Sequence, residues 1–262
     1  MKISVFILMF LGLTLSVSAQ KRLVLEGHYQ GKNLFVQNPF KDGGVGFCAD
    51  KVTVNGDVTA DEINSSAFEI DFKKLGLKQG DPVSVVIEHG GDCTPKVLNK
   101  EVLLSTSTCE WVEVTASPEG NVTWRTTGES GSLPFVIEVY NWNKWIPVGE
   151  VDGEGTSEEH TYEFKITPHS GENKVRIKQV DHTKKARMSR PKTFASGLNE
   201  VTFTPKKVSK EIKFDGKTRY EIYDAYGNIV MKGFGESVNC EGLKKGAYYL
   251  NYDNKNEKFL KK

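Results

Sequence analysis

Along most of this chain apolar and polar positions alternate with a period of two, and runs with the 3.6-residue period of a helix are nearly absent. Ala67-Phe-Glu-Ile-Asp-Phe72 shows the pattern most clearly, setting apolar against acidic side chains as a half-buried strand must. Strands are expected at Leu23–Tyr29, Asn33–Gln37, Phe47–Val54, Ala67–Phe72, Pro82–His89 and Lys96–Leu98. Asn55-Gly56 and Gly90-Gly91-Asp92 punctuate them as turns, since glycine takes positive φ without steric cost.

A second block covers Cys109 to Phe194. Val122–Thr126 reads as an inner strand carrying a core tryptophan, Trp124. Phe135–Tyr140 continues through Asn141-Trp-Asn-Lys144 to Trp145–Val151. Tyr162–Ile166 and Lys174–Val180 follow, with a closing turn before Met188-Ser189. An early Trp strand, a Tyr-containing strand and a late alternating strand resemble a fibronectin type III sandwich. A short link, Leu198–Lys206, leads to a third block of glycine-punctuated strands. The expected organisation is all-β: tandem β-sandwich domains over 20–105 and 109–196, the second fibronectin type III-like, then a small C-terminal β-sandwich over 206–262.

The front of the chain changes the picture from fold to address. Met1-Lys2 is a short basic region, Ile3 to Leu15 is almost wholly apolar, and Val17-Ser18-Ala19 offers a cleavage point before Gln20. The apolar run is shorter than the roughly 20 residues of a membrane-spanning helix. Residues 1–19 therefore read as a signal peptide. No cysteine follows the cleavage point to carry a lipid, and no later segment is apolar enough to span a bilayer.

The third block carries the most specific motifs. Tyr220-Glu-Ile-Tyr-Asp-Ala-Tyr-Gly-Asn-Ile-Val230 is followed by Leu243-Lys-Lys-Gly-Ala-Tyr-Tyr-Leu250 and by Lys258-Phe-Leu-Lys-Lys262. Together they resemble the type A C-terminal sorting domain of the Bacteroidetes type IX secretion system. Tyr223, Asp224 and Gly227 match its strand-Asp-x-x-Gly hairpin, Gly246 and Tyr248 its Leu-x-x-Gly-x-Tyr strand, and Lys258, Lys261 and Lys262 its basic end. Thr204-Pro-Lys-Lys207 stands where family members often have a Pro-Asn-Pro-like turn. The resemblance implies an exported protein, in the periplasm, on the cell surface or secreted. Its partners would be type IX secretion or envelope signalling proteins, in a layout similar to small PorA-like proteins. Gly31–Phe40 with Val52–Gly56 resembles the amino-terminal β-domain of small exported Bacteroidetes proteins, from which no enzyme activity follows.

Charge and cysteine content refine this. The 262 residues carry a formal net charge of +1, which shows no general preference for nucleic acid. From Lys206 to Lys262, however, thirteen Lys/Arg face eight Asp/Glu, a basic module suited to an acidic partner or an anionic surface, or simply a solvated face. An exported location permits disulfides. Cys48 and Cys93 lie in one block and are the expected pair. Cys109 and Cys240 lie in separate blocks, and would either pair through domains folding back or remain buried thiols.

The search for catalytic chemistry yields little, and no enzyme activity is expected. His28, His89, His160, His169 and His182 are scattered. His89-Gly90-Gly91-Asp92 lacks a Gly-x-Ser-x-Gly partner, and Ser130 in Gly128-Glu-Ser-Gly131 is placed in a polar loop rather than a strand-to-helix elbow. Glu158-Glu159 need only be solvated. Asp152-Gly-Glu-Gly155 lacks a full calcium-loop pattern, and no cysteine or histidine spacing fits zinc. No metal or cofactor is expected. Tyr140, Trp142 and Trp145 are the candidate ligand-facing aromatics. If the strand runs on, Tyr140 and Trp142 share one face and Trp145 the other, either presenting a surface for a sugar or protein partner or covering the sandwich core.

Overall fold

The structure, a computed structural model, describes residues 21–90 and 93–262. The signal-peptide reading over 1–19, and Gly91 and Asp92 of the proposed turn, lie outside the described residues. The chain divides into two compact units. One holds the described residues up to Gly27 with 31–77 and 83–103, and the other holds 28–30, 78–82 and 104–262.

Seven strands build the first unit: β1 (Lys21–His28), β2 (Leu34–Gln37), β3 (Ala49–Val54), β4 (Asp57–Val58), β5 (Ala67–Ile70), β6 (Pro82–His89) and β7 (Lys96–Val97). They form one sheet in the order β1-β6-β3-β4 and another in the order β5-β2-β7. The period of two works as it should: Val83, Val85, Ile87 and His89 of β6 are buried and the residues between them are not. Leu34, Val36, Ile70 and Phe72 are sealed from solvent.

One strand ends earlier than its alternation implies. β5 stops at Ile70, and Phe72 opens a 3₁₀ turn, Phe72–Leu75. The side chain of Asp71 accepts the N–H of Lys73, and Gly76 closes the turn at φ 70°. A local cap overrides the pattern here, although Phe72 keeps its place in the core. Cys48 and Cys93 are joined by a disulfide, 45 residues apart. Closing a loop of that size restricts the unfolded chain, so the Cys48→Ala/Cys93→Ala variant is expected to lose about 2–4 kcal/mol. Urea midpoints read this, and a change below about 1 kcal/mol would show that the sheets hold the loop unaided.

The second unit contains a sandwich and a further six strands. Its first sheet joins β8 (Glu110–Ala116), β9 (Asn121–Thr127) and β12 (His160–Lys165) in the order β12-β9-β8. The facing sheet joins β10 (Pro134–Asn141), β11 (Lys144–Asp152), β13 (Gly171–Val180), β14 (Ala186–Met188) and β15 (Lys192–Ser196). Its order is β11-β10-β13, with β14 and β15 both on β13. Three strands against a four-position sheet, with consecutive hairpins split between them, is the fibronectin type III arrangement. Val122, Trp124 and Tyr162 from one sheet meet Phe135, Ile137, Val175 and Ile177 from the other. Trp124 stacks on Tyr162 at 5.5 Å and meets Phe135 edge-on at 5.9 Å.

The remaining strands are β16 (Phe203–Thr204), β17 (Lys207–Val208), β18 (Glu211–Tyr223), β19 (Ile229–Asn239), β20 (Gly246–Tyr252) and β21 (Lys255–Lys261). They belong to one hydrogen-bonded sheet in the order β16-β18-β20-β21-β17, with β19 on β18. The ribbon bends where the β18–β19 register breaks, between Lys213 and Thr218. β18 pairs with β16 at Lys213 and Phe214 and with β20 from Tyr220 to Tyr223. Phe203, Phe214, Ile222, Leu250, Tyr252 and Phe259 fill the space enclosed. No helix among the described residues is long and apolar enough to cross a membrane.

Candidate functional site

The motif residues of the last domain do specific structural work. β18 ends at Tyr223, and Asp224 turns the chain. One carboxylate oxygen accepts the N–H groups of Tyr226 and Asn228, both at 2.9 Å, and the other accepts the Asn228 amide at 3.0 Å. These bonds hold the Asp224 carboxyl below its usual range, those from Asn228 first. Gly227 sits at φ 84°, where a side chain would be strained. The turn leaves the Tyr226 ring 91% exposed at its tip.

Gly246 opens β20 opposite Lys261. Two residues on, Tyr248 is buried, stacks on Phe259 at 5.5 Å and donates its hydroxyl proton to the Lys244 carbonyl at 2.9 Å. The basic end is a strand: Lys258 pairs with Tyr249 and Lys261 with Val208, and the Lys262 N–H reaches the Val208 carbonyl at 2.9 Å. Its lysines thus place positive side chains on a terminus whose backbone is paired on both sides at Leu260 and Lys261.

The same domain is locked to the sandwich by the tip of its β20–β21 hairpin. Asp253, at φ 46°, is 3% exposed. Its carboxylate accepts the Ser170 N–H at 2.7 Å, the Ser170 hydroxyl at 2.5 Å and the Val201 N–H at 3.2 Å. Its own N–H donates to the Thr218 hydroxyl at 2.8 Å. Its carbonyl accepts the Asn141 amide at 2.8 Å and the Trp142 indole N–H at 3.1 Å. Asn254 adds a bond to the Ser170 carbonyl. Beside this tip the Lys144 ammonium meets Glu221 at 2.6 Å and the Tyr223 hydroxyl at 3.0 Å. None of Asp253, Ser170, Asn141 or Glu221 stands out in the sequence. Tyr252-Asp-Asn-Lys255 signals only a turn, and nothing in a local pattern says that a turn is buried.

This arrangement corrects the strand reading of the aromatics. Trp142 and Asn143 both have positive φ, 49° and 62°, and form a two-residue hairpin turn between β10 and β11. Tyr140 therefore pairs directly with Trp145, on one face, with ring centroids 5.2 Å apart. Trp142 stands at the tip instead of sharing a face with Tyr140. A bulky residue at positive φ is strained; here Asn141 Oδ1 accepts its N–H at 2.9 Å, and Asp253 accepts its indole. All three aromatics are half-buried. The Arg176 guanidinium lies 4.1 Å over the Trp145 ring.

Two carboxylates tie the domain to pH. Burial acts to raise Glu221, but hydrogen bonds from Lys144 and Tyr223 outweigh it and the group lies below its usual range. Glu257 is also lowered, first by its bond from Lys206 and then by Tyr252. Their folded values lie below the unfolded value of about 4.3, so their contribution is complete above that pH and is lost as pH falls through the folded values. Thermal unfolding is expected to shift downward as the pH falls below about 4.3, with a smaller shift in Glu221→Gln; an equal shift in both proteins would remove Glu221 from the account.

Other candidates resolve differently. Cys109 and Cys240 are free and buried; burial, then the Glu129 charge, pushes the Cys109 thiol up to about 11, and burial raises Cys240. The Gly128–Gly131 loop is not solvated. Ser130 is 1% exposed and donates to the Thr106 carbonyl at 3.0 Å. Glu129, 2% exposed, accepts Thr126 at 2.5 Å, Tyr162 at 2.8 Å and the Gly155 N–H at 2.9 Å. Burial, with this carboxylate, pushes the Tyr162 hydroxyl upward. Gly155 of the calcium-like segment thus serves Glu129, and Glu154 directs its N–H to the Tyr162 oxygen. No group of three His, Cys, Asp or Glu among the described residues is arranged to hold a metal ion.

Comparison with known proteins bears on the last domain. No curated protein sequence matches the chain. Among solved structures, a tetra-tandem repeat from the extending region of a large adhesion protein aligns over 94% of this chain and 74% of its own, at 10% identity and a TM-score of 0.33. The chicken CNTN1 FN1–FN3 domains align over 88% and 89%, at 10% identity and a TM-score of 0.26. Lactobacillus rhamnosus β-glucuronidase aligns over 78% and 39%, at 14% identity and a TM-score of 0.20. None of these likenesses carries a functional argument. Residues 204–262 match the family model described as the secretion system C-terminal sorting domain, so this chain ends in a type IX sorting domain and is an exported cargo of that pathway.

Proposed function

We propose that this protein is a non-catalytic member of the type IX pathway whose folded tail is recognised by the secretion or envelope signalling machinery, while the two preceding β-domains bind partners. One observation carries the reading: the sorting-motif residues complete a β-module with Tyr226 and the terminal lysines outward, and the module is held on the sandwich by Asp253. A tail held this way stays in place while the protein is loaded, and its engagement could be reported to an envelope sensor. The test is fractionation of cells expressing the full chain beside a version ending at Pro205. Full-length protein at the surface or in the medium, with the truncation confined to the periplasm, supports the reading. Identical distribution of the two overturns it.

A surface adhesin or carbohydrate-binding protein carried by the same route is the second reading. It is favoured by a polar groove of about 510 Å³ lined by Tyr140, Trp142, Asn143, His169, Asn254 and Asn256, a combination of rings and amides suited to sugar hydroxyls. Asn143→Gly, which removes the amide and keeps the left-handed backbone, should then abolish glycan-array binding without lowering the melting temperature; an unchanged array profile counts against it.

A further inference from the structure

A second groove, of about 590 Å³, runs between the start of β11 and the β18–β19 ribbon of the sorting domain. Its lining includes Lys144, Trp145, Arg219, Glu221, Lys232 and Phe234. Arg219 is the anomaly. It is half-buried, and burial lowers its affinity for its proton, yet no carboxylate, carbonyl or hydroxyl among the described residues accepts a hydrogen bond from its guanidinium. The nearby carboxylate, Glu221, is already engaged by Lys144 and by the Tyr223 hydroxyl, each at 2.6 Å. A half-desolvated guanidinium without an acceptor is unfavourable unless an anion completes it.

Three further observations say what kind of anion. Register places Arg219 directly opposite Phe234, and Glu221 opposite Lys232, so all four share one face of the ribbon. Lys144, Arg219 and Lys232 against Glu221 leave that face two charges positive. Beside the cations lie apolar surfaces, with Phe234 52% exposed and Trp145 half-buried. Finally, among the described residues β19 pairs only with β18, which leaves the backbone N–H and C=O groups of its other edge without a strand partner.

We propose that this groove binds an extended acidic peptide segment of a partner, added as a strand to the free edge of β19, with a carboxylate on Arg219 and an apolar side chain between Phe234 and Trp145. Strand addition supplies backbone bonds, and alternate side chains then fall on the charged and aromatic face. Lys232 attracts the segment from solution, whereas the half-buried Arg219 fixes its register. The free backbone edge favours a peptide over a phosphate-bearing surface, because a lipid headgroup has no strand to pair with it.

The test uses the full chain and a fluorescein-labelled octapeptide of alternating glutamate and valine, followed by fluorescence anisotropy. Saturable binding is expected, weakened at least about tenfold by Arg219→Gln and further by Arg219→Gln/Lys232→Gln. The lysine-for-glutamate peptide should not bind. Because Arg219 gives up no acceptor, Arg219→Gln should melt no lower than the parent, which separates lost binding from lost folding. Should it melt lower, Lys232→Glu, on an exposed strand, carries the same comparison. Binding that is equal in all variants, or absent up to about 1 mM peptide, overturns the proposal. So does Arg219-dependent binding to phosphatidylglycerol vesicles with none to the peptide.

Discussion

Asp253→Ala is expected to free the sorting domain from the sandwich, at a cost of about 3–5 kcal/mol. The substitution leaves the Ser170 and Val201 N–H groups and the Ser170 hydroxyl without the carboxylate that accepts them. Hydrogen bonds to a charged group contribute about 1.5–3 kcal/mol each, less than additively when they share one acceptor. Alanine at φ 46° adds about 1 kcal/mol of backbone strain. Calorimetry should resolve one transition into two, and proteolysis should accelerate at the exposed link 197–200. Asp253→Asn tolerates the left-handed backbone and keeps one good acceptor, so it should cost less. A single transition unmoved by Asp253→Ala would mean that the hairpin tip rests on the sandwich without stabilising it.

The second large effect lies in the sandwich core. Trp124→Ala should destabilise the protein by about 3–5 kcal/mol, because the ring is fully buried between Tyr162 and Phe135 and neither sheet can collapse into the space. Trp124→Phe should cost far less, about 1–2 kcal/mol. The reason is specific: the Trp124 indole N–H has no hydrogen-bond partner among the described residues, so phenylalanine removes volume and relieves an unsatisfied donor at once. Urea unfolding of the three proteins measures both numbers. Equal losses in the two variants would mean that the indole N–H is satisfied in solution.

These two residues show how unevenly the sequence reveals the molecule. Trp124 announces itself: Val122-Thr-Trp-Arg-Thr alternates, and its tryptophan falls on the apolar phase, so burial follows from the side-chain period of a strand. Asp253 announces nothing. It is a short acidic residue in a turn, which by residue type belongs in water, and it is buried because another element brings Ser170 and Val201 to it. The aromatic hairpin lies between these extremes. Its strands were legible, but the faces were not, because two residues at positive φ shift every later side chain to the other side. Asn143, a residue that tolerates positive φ, was the available hint; Trp142 beside it argued the other way.

What the sequence alone determined here is whatever rests on short range. The strands of β2, β6, β9 and β13 follow from alternation, the Asp224–Gly227 turn from a carboxylate that bonds its own following N–H groups, and the sorting address from motifs within sixty residues. The tertiary structure alone decided which polar groups leave water: Asp253 and Glu129 enclosed by donors from distant strands, and Arg219 drawn in without an acceptor. Periodicity records how one strand meets one surface. The fate of a charge depends on what the rest of the chain places around it, and no local pattern encodes that.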